Sequence, residues 1–329
     1  MNALYFLKRL LYSLFTIWAI MTVTFLLFRA LPGDPAGMMI DPLLTDEARR
    51  QAIVERLGLD RPLWVQYIDY FRMLLQGDFG TSFQSRQPVT TLLGSAFLNS
   101  LVLAIVIFVL AYGLGSMFGA VLAWNRGRWI DRAGVYGALL LRGAPMFFVG
   151  ILLIMVFAIN LNWFPSSGIR SEFGAASPWD IYTSWDFVRH LVLPAVTGAF
   201  HVASSPVLIM RSSMLDVTQA EFLDLARAKG LTDRVVLFRH AFRNAVLPLV
   251  AEGSQFFAYA VGGLVVVEVV FSWPGLGRTI VNALNFRDYP LAQGAFIYLG
   301  LLVVVAFLVS DLLAAWLDPR ARRVERTVT

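Results

Sequence analysis

Residues 221–248 read EFLDLARAKGLTDRVVLFRHAFRNAVLP, and this stretch decides how the chain around it is organised. It is basic, periodic and interrupted by one glycine, yet it lies between two strongly apolar segments. Thr218-Gln219-Ala220-Glu221 has the pattern of a capping box, in which a Thr hydroxyl and a Glu carboxylate each satisfy a free backbone N–H at a helix start. A helix from there sets Phe222, Leu225 and Ala226 on one face, with Asp224 and Arg227 as an (i, i+3) pair. Gly230 ends it, because glycine takes the left-handed C′ conformation without a Cβ penalty. A second helix starts near Thr232 or Asp233 and runs basic through Arg234, Arg239, His240 and Arg243. Periodicity alone leaves two readings open. Either the helix docks into a partner that its small residues Ala226, Ala228 and Gly230 allow to come close, or it lies on lipid headgroups.

The flanking composition places the stretch at a membrane. Hydrophobic residues make up 58% of 329, charged residues 15%, and the mean hydropathy is +0.67. Soluble domains carry roughly 25% charge, so an all-α integral membrane protein is expected. The absence of cysteine excludes disulfides, Cys-ligated metal and thiol chemistry.

Leu10 to Phe28 is apolar and follows Lys8-Arg9. A secretory signal peptide would have a shorter apolar core and an Ala-x-Ala-like cleavage site. Arg29-Ala30-Leu31-Pro32-Gly33 follows instead, so a retained first span is expected, with Arg29 snorkelling at its far end. Five more spans are expected at about 97–123, 134–159, 190–210, 246–270 and 291–316, each longer than the roughly 17 residues that cross the hydrocarbon core. The stretches 1–9, 124–133, 211–245 and 318–329 hold 15 Lys and Arg in 66 residues, against 10 in the 115 residues of 32–96, 160–189 and 271–290. The positive-inside bias therefore puts both termini in the cytoplasm and accounts for the net charge of +5 without nucleic acid.

The organisation that follows has four parts: an N-terminal end with the first span (1–31), an extracytoplasmic insertion of two amphipathic helices (32–96), a five-span core (97–317) containing the cytoplasmic loop 211–245, and a basic tail (318–329). In the insertion, Asp46-Glu47 start one helix that Gly58 ends, and Arg61-Pro62 opens another carrying Leu63, Tyr67, Tyr70, Phe71 and Leu74. On the same outer side, Pro274-Gly275 and Asp288-Tyr289-Pro290 bound a short helix from about Leu276 to Leu284. Gly113, Gly115 and Gly119 form a glycine-rich face in the second span, best read as close helix packing. Pro145, Pro194 and Pro206 are expected to kink or open their helices.

Ionisable groups inside spans are the natural functional candidates, since each is costly at the bilayer centre unless paired or wet. Arg142 and Glu252 fall at similar depths, roughly 10–12 Å from the cytoplasmic ends. They either pair or line one polar path, or each snorkels or meets a separate partner. Gln255 and Tyr259 share the Glu252 face, and His201 falls near mid-span, where a hydrogen-bonded structural role competes with a solute contact. Glu268 and Asp311 lie near helix ends, within reach of water.

Enzyme readings fare poorly. There is no Gly-x4-Gly-Lys-[Ser/Thr] loop, no His-Glu-x-x-His, no metal-ligand spacing among His190, His201 and His240, and no Gly-x-Ser-x-Gly. No catalytic residue, metal site or cofactor of this chain is expected.

The quoted stretch, with Arg239-His240-Ala241 and Arg243-Asn244-Ala245 before Pro248, resembles the EAA loop of ABC importer permeases, most closely the dipeptide/oligopeptide/nickel branch. So do Leu31-Pro32-Gly33-Asp34-Pro35, Gly77-Asp78-Phe79-Gly80-Thr81-Ser82, Phe271 to Arg278, Arg287-Asp288-Tyr289-Pro290, Asp311-Leu312-Leu313 and Leu317-Asp318-Pro319-Arg320. The similarity covers essentially the whole chain. The long polar segment after the first span is similar to the B-type subunit, and Ser166 to His190 is longer than the family pattern. The resemblance implies a type I importer permease in the bacterial inner membrane, paired with a C-type permease, ABC ATPase subunits and an extracytoplasmic solute-binding protein. ATP and magnesium would then belong to the ATPase. Glu221, Phe222, Leu225, Ala226, Ala228, Lys229 and Gly230 would couple to it. Arg142, His201, Glu252, Gln255 and Tyr259 would line the path, and Trp273, Arg278, Arg287 and Tyr289 would face the binding protein. Peptide is the expected solute, with oligosaccharide or nickel as alternatives. An ion-coupled secondary transporter is the more distant alternative and would leave the docking loop unexplained; a structural or assembly protein would tolerate loss of Gly230 and its neighbours without losing transport.

Overall fold

The computed structural model describes residues 3–30, 51, 54–55, 60–171, 178–250, 252–253, 256 and 263–317. In chain order the helices are α1 (Ala3–Ala30), α2 (Leu63–Leu75), α3 (Val89–Trp124), α4 (Trp129–Gly143), α5 (Met146–Asn160), α6 (Pro178–Thr183), α7 (Trp185–Thr218), α8 (Glu221–Ala228), α9 (Val265–Val270), α10 (Leu276–Asn285) and α11 (Tyr289–Leu317). Between α8 and α9, short helical pieces cover Asp233–Val235, Val236–Ala241 and Phe242–Ala245. Four helices among the described residues are long and apolar enough to cross a membrane, and α4 with α5 make a fifth if counted as one span. The expected fifth span, 246–270, lies partly outside the described residues, as do the 46–57 helix and the tail; of Asp311 only the backbone is described.

Each apolar stretch becomes a helix because a spanning backbone must satisfy its N–H and C=O groups internally. α3 begins at Val89, two turns inside the stretch assigned to the insertion, where Pro88 supplies a carbonyl to the first free N–H groups. Of the three prolines expected to disturb helices, only Pro145 breaks one: Ala144 and Pro145 are extended (ψ 129° and 128°), and α4 and α5 meet at 101°. α7 carries Pro194 and Pro206 without interruption.

The chain divides into two compact units. The first comprises Met1–Asn99 and Gly275–Leu308. In it, Phe25 of α1 meets Tyr67 and Tyr70 of α2 at 5.3 Å between ring centroids, and Thr22 and Tyr67 share a hydroxyl hydrogen bond of 2.8 Å. Val89, Leu93 and Ala96 pack with Leu276, Ile280 and Ala295. The Asp288 carboxylate ties distant chain together, accepting from Ser82 Oγ (2.5 Å) and from the backbone N–H groups of Phe83 (3.0 Å), Gln84 (3.3 Å) and Leu291 (3.3 Å). The last of these caps α11, as an Asp two residues before Pro290 is suited to do.

The second unit comprises Ser100–Pro274 and Val309–Thr329, and is organised around α3 against α7. Gly115 and Gly119 make that approach: a Cβ on Gly119 would collide with the Val207 carbonyl, and one on Gly115 would stand 3.2 Å from Pro206. Gly113, grouped with them in the sequence, meets nothing, since two residues of helix turn it about 200° away from Gly115. Glu268 does not reach water: it is 1% exposed and accepts from Ser100 Oγ at 2.5 Å. Trp273 is 0% exposed and packs on Phe187, so it cannot touch a binding protein; the apolar ring is spent on the core instead.

Candidate functional site: a docking helix and a polar cavity

α8 is short, and only its packing fixes it. Leu223 and Ala226 are buried in a cluster with Ala120, Met210, Met214, Val236 and Ala241. Phe222 and Leu225, expected on the same face as Ala226, point the other way and are 42% and 58% exposed. Glu221, Ala228, Lys229 and Gly230 are exposed too. The capping box does not form, because Thr218 still belongs to α7 and its hydroxyl donates to the Leu215 carbonyl at 2.8 Å. The C-terminus behaves as expected: Gly230 has φ +78°, and the Leu231 N–H reaches back to the Ala226 carbonyl at 3.4 Å, the Schellman arrangement. The result is a helix clamped by one edge, offering two large apolar side chains and one cation to whatever lies beyond.

Beside this surface, a bidentate ion pair locks the start of α4 to α7. Arg211 donates to Asp131 through Nε (2.6 Å) and a terminal nitrogen (2.8 Å), and the Gly127 N–H completes the carboxylate at 3.0 Å. Asp131 is 3% exposed. Neither residue was singled out by the sequence, where each reads as one more loop charge.

Deeper in the same unit is a cavity of about 250 Å³ lined by Tyr112, Arg142, His201, Ser205, Glu252 and Phe256. Three of the five path candidates meet here; Gln255 and Tyr259 lie outside the described residues. Arg142 arrives because α4 stops one residue beyond it, at the Pro145 break. Tyr112 sits on the widened π turn of α3, stacked on Phe108 at 4.5 Å, and both rings press on the backbone of Gly253, next to Glu252. Glu252 is oriented by Ser205, whose hydroxyl donates to Oε1 at 2.7 Å. Its Oε2 and His201 Nδ1 are buried without a hydrogen-bond partner. Among the described residues Arg142 and Glu252 form no ion pair, so they share a cavity wall rather than a bond. Ser205 and Tyr112 were not anticipated; a serine just before Pro206 was the available signal.

On the first unit, Arg287 and Tyr289 flank Asp288, and Arg287 is exposed with φ +54°. Tyr289 packs edge-on against Phe28, and Arg278 is half-buried on α10. Trp273 belongs to the other unit.

Comparison with known proteins agrees with these features. Residues 115–323 match the binding-protein-dependent transport system inner membrane component, and residues 3–108 match the N-terminal part of such membrane components. The glutathione transport system permease protein GsiC of Salmonella typhimurium (strain LT2) is 38% identical over 321 residues, covering 97% of this chain and 98% of that one. The oligopeptide transport system permease protein AppB of Bacillus subtilis (strain 168) is 36% identical over 319 residues, covering 97% and 99%. The fold is similar to a solved inward-facing MetNI methionine ABC transporter chain, with a TM-score of 0.52 at 17% identity, over 70% of this chain and 97% of that one. The chain therefore belongs to the binding-protein-dependent permeases of ABC importers, multi-pass helical proteins of the bacterial inner membrane.

Proposed function

We propose that this chain is the B-type permease subunit of an ATP-driven importer of di- and oligopeptides, with six spans and both termini in the cytoplasm. It works beside a C-type permease, beneath an extracytoplasmic solute-binding protein and above ABC ATPase subunits that hold the ATP and magnesium. α8 is the coupling element: the ATPases close on ATP, push Phe222, Leu225 and Lys229, and the push passes through Leu223 and Ala226 into α3 and α7. Arg142, His201 and Glu252 line the solute path, joined by Gln255 and Tyr259. Arg278, Arg287 and Tyr289 face the binding protein.

The observation that carries this reading is the division of α8, whose inner face is fixed in the core while two large apolar side chains stay uncovered at its outer face. The peptide assignment draws support from the relatives named for glutathione and oligopeptide transport. The test is reconstitution of the complete transporter in proteoliposomes with radiolabelled dipeptide. Uptake is expected to need ATP, an ATPase subunit and the binding protein; uptake that persists without any ATPase subunit would sink the proposal.

A further inference from the structure

We infer that the cavity in the second unit is a selective site for a small zwitterion, with Glu252 receiving the ammonium and Arg142 the carboxylate of a short peptide. This rests on the reading of the chain as an importer subunit and specifies what its path recognises. The Glu252 carboxylate is incompletely satisfied: Ser205 holds Oε1 and the Tyr112 side chain stands against the group, while Oε2 is buried without a hydrogen bond of good geometry. A buried acceptor left open is costly unless something fills it, and a charged donor fills it best. Arg142 lines the same cavity without an ion pair among the described residues, and its planar guanidinium suits a carboxylate. A ligand with both charges meets both residues, whereas a metal cation would be repelled by Arg142 and a neutral oligosaccharide would use neither charge. No group of three or more metal-ligating side chains occurs among the described residues.

Size points the same way. The cavity, about 250 Å³ and open on one side, has room for a ligand of the order of two extended residues, which span roughly 7 Å. His201, with Nδ1 unpartnered, supplies a further polar contact for a peptide backbone. Tyr112 and Phe256 provide the aromatic wall against which a side chain packs.

The experiment is equilibrium binding of radiolabelled alanyl-phenylalanine to the assembled permease–ATPase complex in lipid nanodiscs without the binding protein, with its N-acetyl and C-amide forms as competitors. Hydrogen bonds to charged groups imply that each blocked form binds roughly ten- to a hundredfold more weakly. Glu252→Gln should close the gap for the N-acetyl form alone, and Arg142→Gln the gap for the C-amide alone. Ratios unchanged in both variants, or no displaceable binding by the unaltered complex, overturn the zwitterion site. If both charge variants lose all binding, Ser205→Ala decides: a smaller N-acetyl discrimination supports the site, and an unchanged one overturns it. ATP-dependent uptake by the unaltered complex with its binding protein is measured in parallel. Its absence counts against the importer reading, whereas its presence with unchanged ratios counts against this site alone.

Discussion

At the scale of single residues, two carboxylates hold the molecule together, and neither announced that role in the sequence. Asp131 is enclosed by Arg211 and the Gly127 N–H, with its side chain 4% exposed against 25% for Arg211. Removing the acid leaves a partly buried cation without its partner, which costs about 3 kcal/mol. Asp131→Ala is therefore expected to lower the melting temperature of the purified protein clearly, and Asp131→Ala with Arg211→Met to recover part of the loss; a double variant no more stable than the single one would show that the ion pair is not the cause. Asp288 plays the corresponding part in the first unit, collecting Ser82, Phe83, Gln84 and Leu291. Asp288→Ala strands those donors and uncaps α11, so proteolysis at 77–88 should accelerate several-fold, and Asp288→Asn should restore protection in part. Intramembrane charges such as Arg142 and Glu252 were legible because they stand out against apolar neighbours. Asp131 and Arg211 were not, since their pairing joins positions 80 residues apart and depends on how α4 packs on α7.

At the scale of elements, α8 separates what a sequence states from what packing decides. Its end at Gly230 and the short helix that follows could be placed from residue types and spacing, whereas its start could not, because α7 runs on through the expected cap at Thr218. Which face turns inward could not. Periodicity groups Phe222, Leu225 and Ala226, but the small cross-section of Ala120, Ala123 and Ala241 admits Leu223 with Ala226 and turns Phe222 and Leu225 out. Substitutions sort accordingly. Leu225→Glu leaves the core intact, so the variant should melt like the parent while losing its ATPase subunit on co-purification. Leu223→Glu buries a charge in an apolar cluster and should lower stability by several kcal/mol, with expression falling alongside docking. Ala226→Glu belongs with Leu223→Glu, because Ala226 is 6% exposed; a failure of uptake in it would report unfolding rather than lost docking. If Leu225→Glu retained the ATPase at full occupancy, the coupling role of α8 would fall.

At the scale of the whole molecule, the proposed topology rests on charge: Lys and Arg crowd the segments assigned to the cytoplasm, and the bias acts on short loops near span ends. The helices by themselves do not orient the protein, since an apolar helix is compatible with either direction. The break at Pro145 sets the second determinant, because α4 and α5 bent by 101° are either one broken span or a re-entrant pair, and the two choices reverse the side of everything that follows. The cysteine-free chain allows a direct decision. Ser85, Ser167 and Arg128 are all exposed, and each is replaced singly by cysteine in intact cells. A membrane-impermeant maleimide should label Ser85→Cys and Ser167→Cys at once, and Arg128→Cys only after permeabilisation. Labelling of Ser85→Cys without Ser167→Cys would make α4 and α5 a re-entrant pair, and the cytoplasmic assignment of α8 would then have to be abandoned, because the single crossing of α7 would carry the chain from a cytoplasmic Ser167 to an α8 outside. Labelling of Arg128→Cys in intact cells would invert the chain and place α8 on the wrong side of the membrane for any ATPase.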